Sequence, residues 1–303
     1  MKKVQVLLST YNGEKYLTQQ IESILQQKDV KISLLIRDDG SEDNTVNILK
    51  KFKSKYDSIE LYCGDNIGWK DSFMKLIYMS GDFDFFAFAD QDDFWLPNKL
   101  ISAINKIYQS NTKKEPKLYY SDVTLTDKNL NKIGKFIRKR PDNKISVLFN
   151  PCAQGSTIVF NKKLRNLIKR YKPKDSYAHD MWVFILCYYF GLTIYDSNSY
   201  LLYRQHDNNV SIGGKKPSIL HLVKSRLIPM LKENIDANYA QDILDGYKEI
   251  LTKKDAEFLY TLANYKSSFY KKLKILLDPR VKKMTLRGTL FLKLSILLSK
   301  YGK

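Results

Sequence analysis

Phe83-Asp84-Phe85-Phe86-Ala87-Phe88-Ala89-Asp90-Gln91-Asp92-Asp93 is a short aromatic, apolar run that ends in three carboxylates within four residues. A run this short and this rich in aromatics reads as a buried strand rather than a helix. Open α/β sheets bind ligands beyond the carboxyl ends of their strands, which is where these acids fall. Like charges so close raise one another's pKa unless a cation joins them, and oxygen-rich clusters suit Mg2+ or Mn2+. A solvated acidic turn, with Asp93 capping the next helix, fits the same residues. The stretch alone leaves both readings open.

Outward from it, strand and helix patterns alternate over residues 1–110. Val4–Ser9, Ile32–Arg37, Ile59–Cys63 and Asp84–Ala89 read as strands. Between and after them, Glu14–Gln27, Asp43–Lys55 (opened by Ser41), Trp69–Met79 and Pro97–Tyr108 read as helices. Such alternation with short loops predicts an α/β fold with a mostly parallel, right-handed, doubly wound sheet. From Lys117 the pattern loosens. Leu118–Asp122, Ile133–Phe136, Ser156–Phe160, Thr193–Tyr195 and Leu201–Tyr203 read as strands around an apolar helix at Met181–Phe190. After Gly213-Gly214 the chain turns helical, apolar and basic, punctuated by Pro217, Pro229 and Pro279. The expected organisation is a nucleotide-binding half (1–110), an acceptor-binding half (111–213) and a C-terminal helical region (214–303).

The chain has 303 residues and a net charge of +19, distributed as −2 over 1–110, +10 over 111–210 and +11 over 211–303. A basic excess confined to the later parts points to an anionic partner, either a membrane surface or nucleic acid. The acidic strand-end edge and the absence of a positive excess over 1–110 argue against a non-catalytic nucleic-acid-binding protein. Cys63, Cys152 and Cys187 are odd in number and lack metal-ligand spacing, which suits a reducing, cytoplasmic setting. The start Met1-Lys2-Lys3 followed by five mixed residues is no signal peptide, and no apolar run reaches a membrane-spanning length.

Neither a Gly-x-Gly-x-x-Gly nor a Walker A sequence follows the first strand; Ser9-Thr10-Tyr11-Asn12-Gly13 stands there instead. Arg37-Asp38-Asp39-Gly40-Ser41 ends the second strand, and Asn66-Ile67-Gly68-Trp69-Lys70 follows the third. Acids thus recur on one sheet edge, which random polar loops seldom arrange.

This set resembles the family 2 inverting glycosyltransferases of GT-A fold over residues 1 to about 213. The resemblance implies that Ser9, Thr10 and Asp39 contact the base of a nucleoside diphosphate sugar. Tyr11 and Asn66 would lie along the same donor site, with Asp90 near the ribose and Lys70 near the phosphates. Asp92 would bind Mg2+ or Mn2+. In Tyr177-Ala178-His179-Asp180-Met181-Trp182, Asp180 holds the position of the family's general base, and His179 replaces the acid that often precedes it. A helix-terminal carboxylate held by the dipole would also place an acid there. Tyr203-Arg204-Gln205-His206-Asp207-Asn208-Asn209-Val210-Ser211 is similar to the family's late motif, whose His completes the metal site; here that is His206.

Asp90–Pro97, Tyr203–Ser211 and Cys152–Thr157 look like the bacterial rhamnosyltransferases of cell-wall and capsular polysaccharides. They imply dTDP-L-rhamnose as donor, with UDP-hexose or UDP-N-acetylhexosamine as alternatives, and a glycan or lipid-linked glycan as acceptor. A catalytically inert assembly subunit is the remaining rival, against which the intact acids stand. Residues 279–303 carry seven Lys/Arg and no acid, interleaved with Leu286, Leu290, Phe291, Leu294, Leu297 and Leu298. That pattern predicts an amphipathic helix on anionic lipid at the inner face of the membrane, or alternatively a helix packed on the domain or a partner subunit. Lys293 falls inside its apolar arc.

Overall fold

In β1 (Lys2–Thr10) every residue from Val4 to Leu8 is buried, as is every residue of β4 (Phe85–Ala89), so both strands are covered on two faces. That is the signature of parallel strands sandwiched between helices. The computed structural model describes residues 1–110, 112–113, 115–137, 140–150, 153–206 and 235–298.

The remaining elements of the larger sheet are α1 (Glu14–Leu25), β2 (Val30–Asp38), α2 (Thr45–Lys55), β3 (Ile59–Cys63) and α3 (Trp69–Met79). After β4 come β5 (Phe94–Trp95), α4 (Lys99–Gln109), β6 (Lys117–Ser121), β7 (Val123–Thr126) and β8 (Lys132–Phe136). β9 (Val159–Asn161), α5 (Lys162–Lys169), α6 (His179–Phe190), β10 (Leu192–Asp196) and β11 (Leu201–Arg204) complete this part. Among the described residues the main sheet has the order β10-β6-β9-β4-β1-β2-β3. One face of it packs Val4, Val6, Leu34 and Ile36 against Leu17 and Ile21 of α1 and Leu100 and Ile104 of α4. On the other face Phe88 meets Phe73 of α3, and Phe86 stacks on Phe160.

The expected parallel alternation holds for β3-β2-β1-β4. Beyond β4 it does not, because β9 enters between β4 and β6 antiparallel to both. A smaller sheet, β5-β11-β7-β8, begins immediately after Asp93. Neither β5, β7 nor α5 was expected from the sequence. Two and four residues are too few to show a period, and α5 follows β9 without any break.

Two units divide the chain: 1–138, 153–170 and 176–208 in the first, and 139–152, 171–175 and 209–303 in the second. The second unit thus includes short stretches from within the expected acceptor half. Among its described residues the α-helices are α7 (Ile235–Tyr247), α8 (Lys253–Ala263), α9 (Phe269–Leu277) and α10 (Leu286–Leu298). The Tyr171 hydroxyl donates to Asp242 on α7 at 2.7 Å, and Lys144 pairs with Asp255 on α8 at 2.8 Å. Asn150 donates to the Lys282 carbonyl and accepts from the Met284 amide. The expected boundary at 213, Cys152, Asp207–Ser211, Pro217, Pro229, Lys300 and Lys303 lie outside the described residues. No described helix is long and apolar enough to cross a membrane.

Candidate active site

Leu8 lies beside both Ile36 and Ala89, and Ile36 beside Leu61, so the carboxyl ends of β1, β2, β3 and β4 open on one edge. There the Thr10 hydroxyl donates to Asp38 Oδ2 at 2.8 Å. Asp38 also accepts from the Ser41 amide (2.9 Å) and hydroxyl (2.6 Å). Ser41 therefore does not cap α2 as expected. Its side chain is spent on Asp38 and on the Asn12 amide, and α2 begins later, at Thr45.

Asp39 is held by the Arg37 guanidinium and accepts from the Ile67 amide at 3.0 Å. Arg37 also donates to Ser72 Oγ (3.1 Å) and the Asp65 carbonyl (2.9 Å), and Ser72 shares a 2.7 Å bond with Ser9. Thr10 and Asp39 are both buried and tie strand ends together, while Ser9 and Lys70 are half-buried and Tyr11 and Asn66 exposed. Gln91 grips Tyr11 by its backbone, accepting from the amide at 2.8 Å and donating to the carbonyl at 2.9 Å. Arg37 and Gln91 were not singled out in the sequence. Arg37's adjacency to two acids was the one available signal.

The three carboxylates of the acidic loop have different surroundings. Burial, then Asp92 and Asp180, push the Asp90 carboxyl up to about 7, against a Ser156 hydroxyl that favours its ionised form. Asp93 is fully buried and is likewise pushed well above the carboxylate range by burial and by Asp92 and Asp90. It caps no helix, since α4 starts at Lys99. Lys99 is buried too, its ammonium 3.6 Å from the Trp95 ring centroid, and burial pulls it down to about 7 against the attraction of Asp93.

Asp92 points elsewhere, and its Oδ2 lies 2.8 Å from His206 Nε2. These residues meet because β5, directly after the acidic loop, pairs antiparallel with β11, and His206 follows β11 by two residues. Arg204, at the end of β11, fixes the approach. Buried, it donates to the Asp92 carbonyl at 2.9 Å and to Gln19 Oε1 at 2.9 Å, and its guanidinium lies 4.4 Å from the Tyr16 ring centroid.

Asp180 stands in the first turn of α6, where the helix N-terminus favours a negative charge, and its Oδ1 accepts from the Met181 amide at 2.8 Å. It is near enough to Asp90 to raise that group's pKa. The structure thus gathers Asp90, Asp92, Asp180 and His206, which come from three separate segments.

His179 is packed rather than displayed. Its ring stacks on Phe73 at 3.9 Å and meets Phe88 edge-on at 4.5 Å, with neither nitrogen hydrogen-bonded. Gly155 makes room for it: a Cβ there would lie 2.7 Å from His179 Nε2. Burial lowers the imidazole pKa to about 3, so the ring is neutral. The unfolded chain takes up this proton near pH 6.5 and the native chain does not, so stability falls as pH drops below that value. Between pH 6.5 and 5 the loss from this group is about 1.6 kcal/mol. Urea unfolding at pH 7, 6 and 5 is expected to show a shallower decline in His179→Leu than in the wild type. Parallel declines would mean that His179 is not the group refusing the proton.

The model of the glycosyl transferase family 2 matches residues 5–166, more than half of the chain. The dTDP-rhamnosyl transferase RfbG of Shigella flexneri is 29% identical over 214 residues, covering 67% of this chain and 72% of that protein. The UDP-Glc:alpha-D-GlcNAc-diphosphoundecaprenol beta-1,3-glucosyltransferase WfgD of Escherichia coli is 29% identical over 189 residues, covering 60% and 69%. Among solved structures, S. aureus TarS 1–349 in complex with UDP superposes with a TM-score of 0.58 at 17% identity, over 94% of this chain and 76% of that one. Asp180 and His206 lie beyond the matched family stretch, so their place beside it rests on the geometry above. With its acids on the carboxyl edge of a mostly parallel sheet, the chain belongs to the glycosyl transferase family 2 and is a glycosyltransferase of GT-A fold.

Proposed function

We propose that the enzyme transfers L-rhamnose, with inversion, from dTDP-L-rhamnose to a hydroxyl of a growing, lipid-linked surface glycan at the inner face of the membrane. The observation that carries the inverting, metal-assisted part is the Asp92–His206 pair at 2.8 Å, beside Asp90 and within electrostatic reach of Asp180. A carboxylate oxygen and an imidazole nitrogen this close could both hold one small cation. Among the described residues no group of three or more His, Cys, Asp or Glu could hold a metal by itself. Asp92 and His206 would therefore share Mg2+ or Mn2+ with diphosphate oxygens, as small hard cations prefer. Such an ion, when bound, neutralises charge on the departing diphosphate.

Asp180 receives the proton of the acceptor hydroxyl as its oxygen bonds to the anomeric carbon. The bond from that carbon to the diphosphate breaks, and its electron pair leaves with the nucleotide. Lys70 and Asp90 face the phosphates and ribose, and Ser9, Tyr11, Asn66, Thr10 and Asp39 shape the base end. Buried, Thr10 and Asp39 do so by fixing the strand ends.

Support for rhamnose is the likeness to the Shigella flexneri dTDP-rhamnosyl transferase. The Escherichia coli glucosyltransferase of equal identity and the UDP-bound TarS keep UDP-sugars as the second reading. Sugar release from a panel of dTDP-L-rhamnose, UDP-glucose, UDP-galactose and UDP-N-acetylglucosamine tests the choice. The expected result is turnover of dTDP-L-rhamnose at least roughly tenfold above the others, which hydrogen bonding to one donor can supply. Faster turnover of a UDP-sugar would reassign the donor.

A further inference from the structure

The pattern of exposure on α9 and α10 points to an interaction surface. On α10, Leu292 and Ile296 are buried, while Leu286 (87% exposed), Leu290 (71%), Phe291, Leu294, Leu297 and Leu298 face outward. At 100° per residue these six cover an arc of roughly 140° whose one charged member is Arg287. On α9, Ile275 is buried, and Phe269, Tyr270 (74%), Leu273 and Leu277 (71%) face outward in the same way.

Lys293, which the sequence set inside the apolar arc, is turned onto the neighbouring helix. Its ammonium donates to the Leu276 carbonyl at 2.7 Å, and Lys272 donates to the Leu297 carbonyl at 3.2 Å. The two crossed bonds, 276 to 293 and 272 to 297, mean that α9 and α10 run antiparallel. They also satisfy helix-end carbonyls with cations, a favourable C-terminal arrangement. The charges that would interrupt the apolar faces are thus used within the hairpin. Lys274 and Arg280, the latter paired with Asp278 at 2.6 Å, border a groove of about 440 Å³ lined by Tyr270, Leu273 and Leu277.

We propose that this hairpin is the surface by which the enzyme lies on an anionic bilayer. Residues 269–298 contain one acid, Asp278, which is paired with Arg280, and residues 211–303 carry +11. A second copy of the chain would set the same cationic border against itself, whereas anionic headgroups match the border and acyl chains match the arcs. A 13-residue helix is about 20 Å long, short of the ~30 Å hydrocarbon core, so it lies in the interface instead of crossing it. The inference gives a partner to the membrane-side reading above and rests on that reading for its purpose. It is measured without donor or acceptor, so its failure leaves the transfer chemistry standing.

The test is co-sedimentation of the full chain with phosphatidylcholine vesicles with and without phosphatidylglycerol, together with light scattering in solution. The wild type is expected to sediment with the phosphatidylglycerol vesicles and to release as salt rises. Leu290→Glu/Leu294→Glu should bind roughly tenfold or more weakly, and Arg287→Glu less severely so. Both sites are exposed, so an unchanged melting temperature and unchanged donor affinity are expected alongside. A wild type indifferent to phosphatidylglycerol, or a double variant that binds like it, would overturn the proposal. So would a dimer that the double variant dissolves, which would give the face to a second copy.

Discussion

Asp180→Asn is expected to bind the nucleotide sugar as the wild type does and to transfer it ~10²–10⁴-fold more slowly, the usual range for loss of a positioned base. The substitution is nearly isosteric. An amide oxygen can still accept from the Met181 amide, so the first turn of α6 keeps its geometry. What is lost is the site's capacity to take a proton, along with one of the charges that repel Asp90. Donor affinity should therefore hold or strengthen, since the ligand is itself an anion. Single-turnover transfer and donor titration, run side by side, separate the two effects. Turnover close to wild type would remove Asp180 from the base role, and a collapse of donor binding would make it a donor ligand instead.

Asp92→Ala and His206→Ala are each expected to weaken Mn2+-dependent donor binding by at least about 10–100-fold, the range already lost when a group that merely supports a metal ligand is removed. The acidic loop should keep its course, because Arg204 holds the Asp92 carbonyl rather than its side chain. If the pair acts as one ion-holding unit, the double variant should be little worse than either single one, since residues of one unit are strongly non-additive. Calorimetric titration of donor with Mn2+ and with EDTA reads this directly. Wild-type binding that ignores EDTA, with singles that bind normally, would reduce the 2.8 Å contact to an ordinary hydrogen bond.

Legibility in the sequence followed element length. β1 to β4 and their helices were readable because each spans enough residues to show its period. β5 was not, at two residues, and yet it is what brings Asp92 to His206. The acidic loop was legible as a cluster but not in its division. Asp93 and Lys99 are both buried, which a pattern of charged letters does not disclose. Ser41 was a sound cap by type and position, but its hydroxyl and amide donate to Asp38, three residues earlier, and its hydroxyl accepts from the Asn12 amide, a distant partner that leaves no local signal. Lys293 looked like a flaw in an amphipathic face until the Leu276 carbonyl accounted for it. For β5, Ser41 and Lys293 the missing information included a contact with a residue distant in the chain.

The antiparallel insertion of β9 bears on how this enzyme is made and on what can be borrowed from it. As the polypeptide leaves the ribosome, Phe85–Ala89 finds β1 at once, but its other backbone edge has no neighbour until Val159–Asn161 emerges. An open, wholly apolar strand edge invites pairing with another chain, so the interval is one of aggregation risk. Residues 1–110, which carry the acidic loop, are therefore no self-sufficient cassette. Its central strand is finished by Val159–Asn161, so exchanging residues 1–110 alone between relatives would leave that strand edge without its partner.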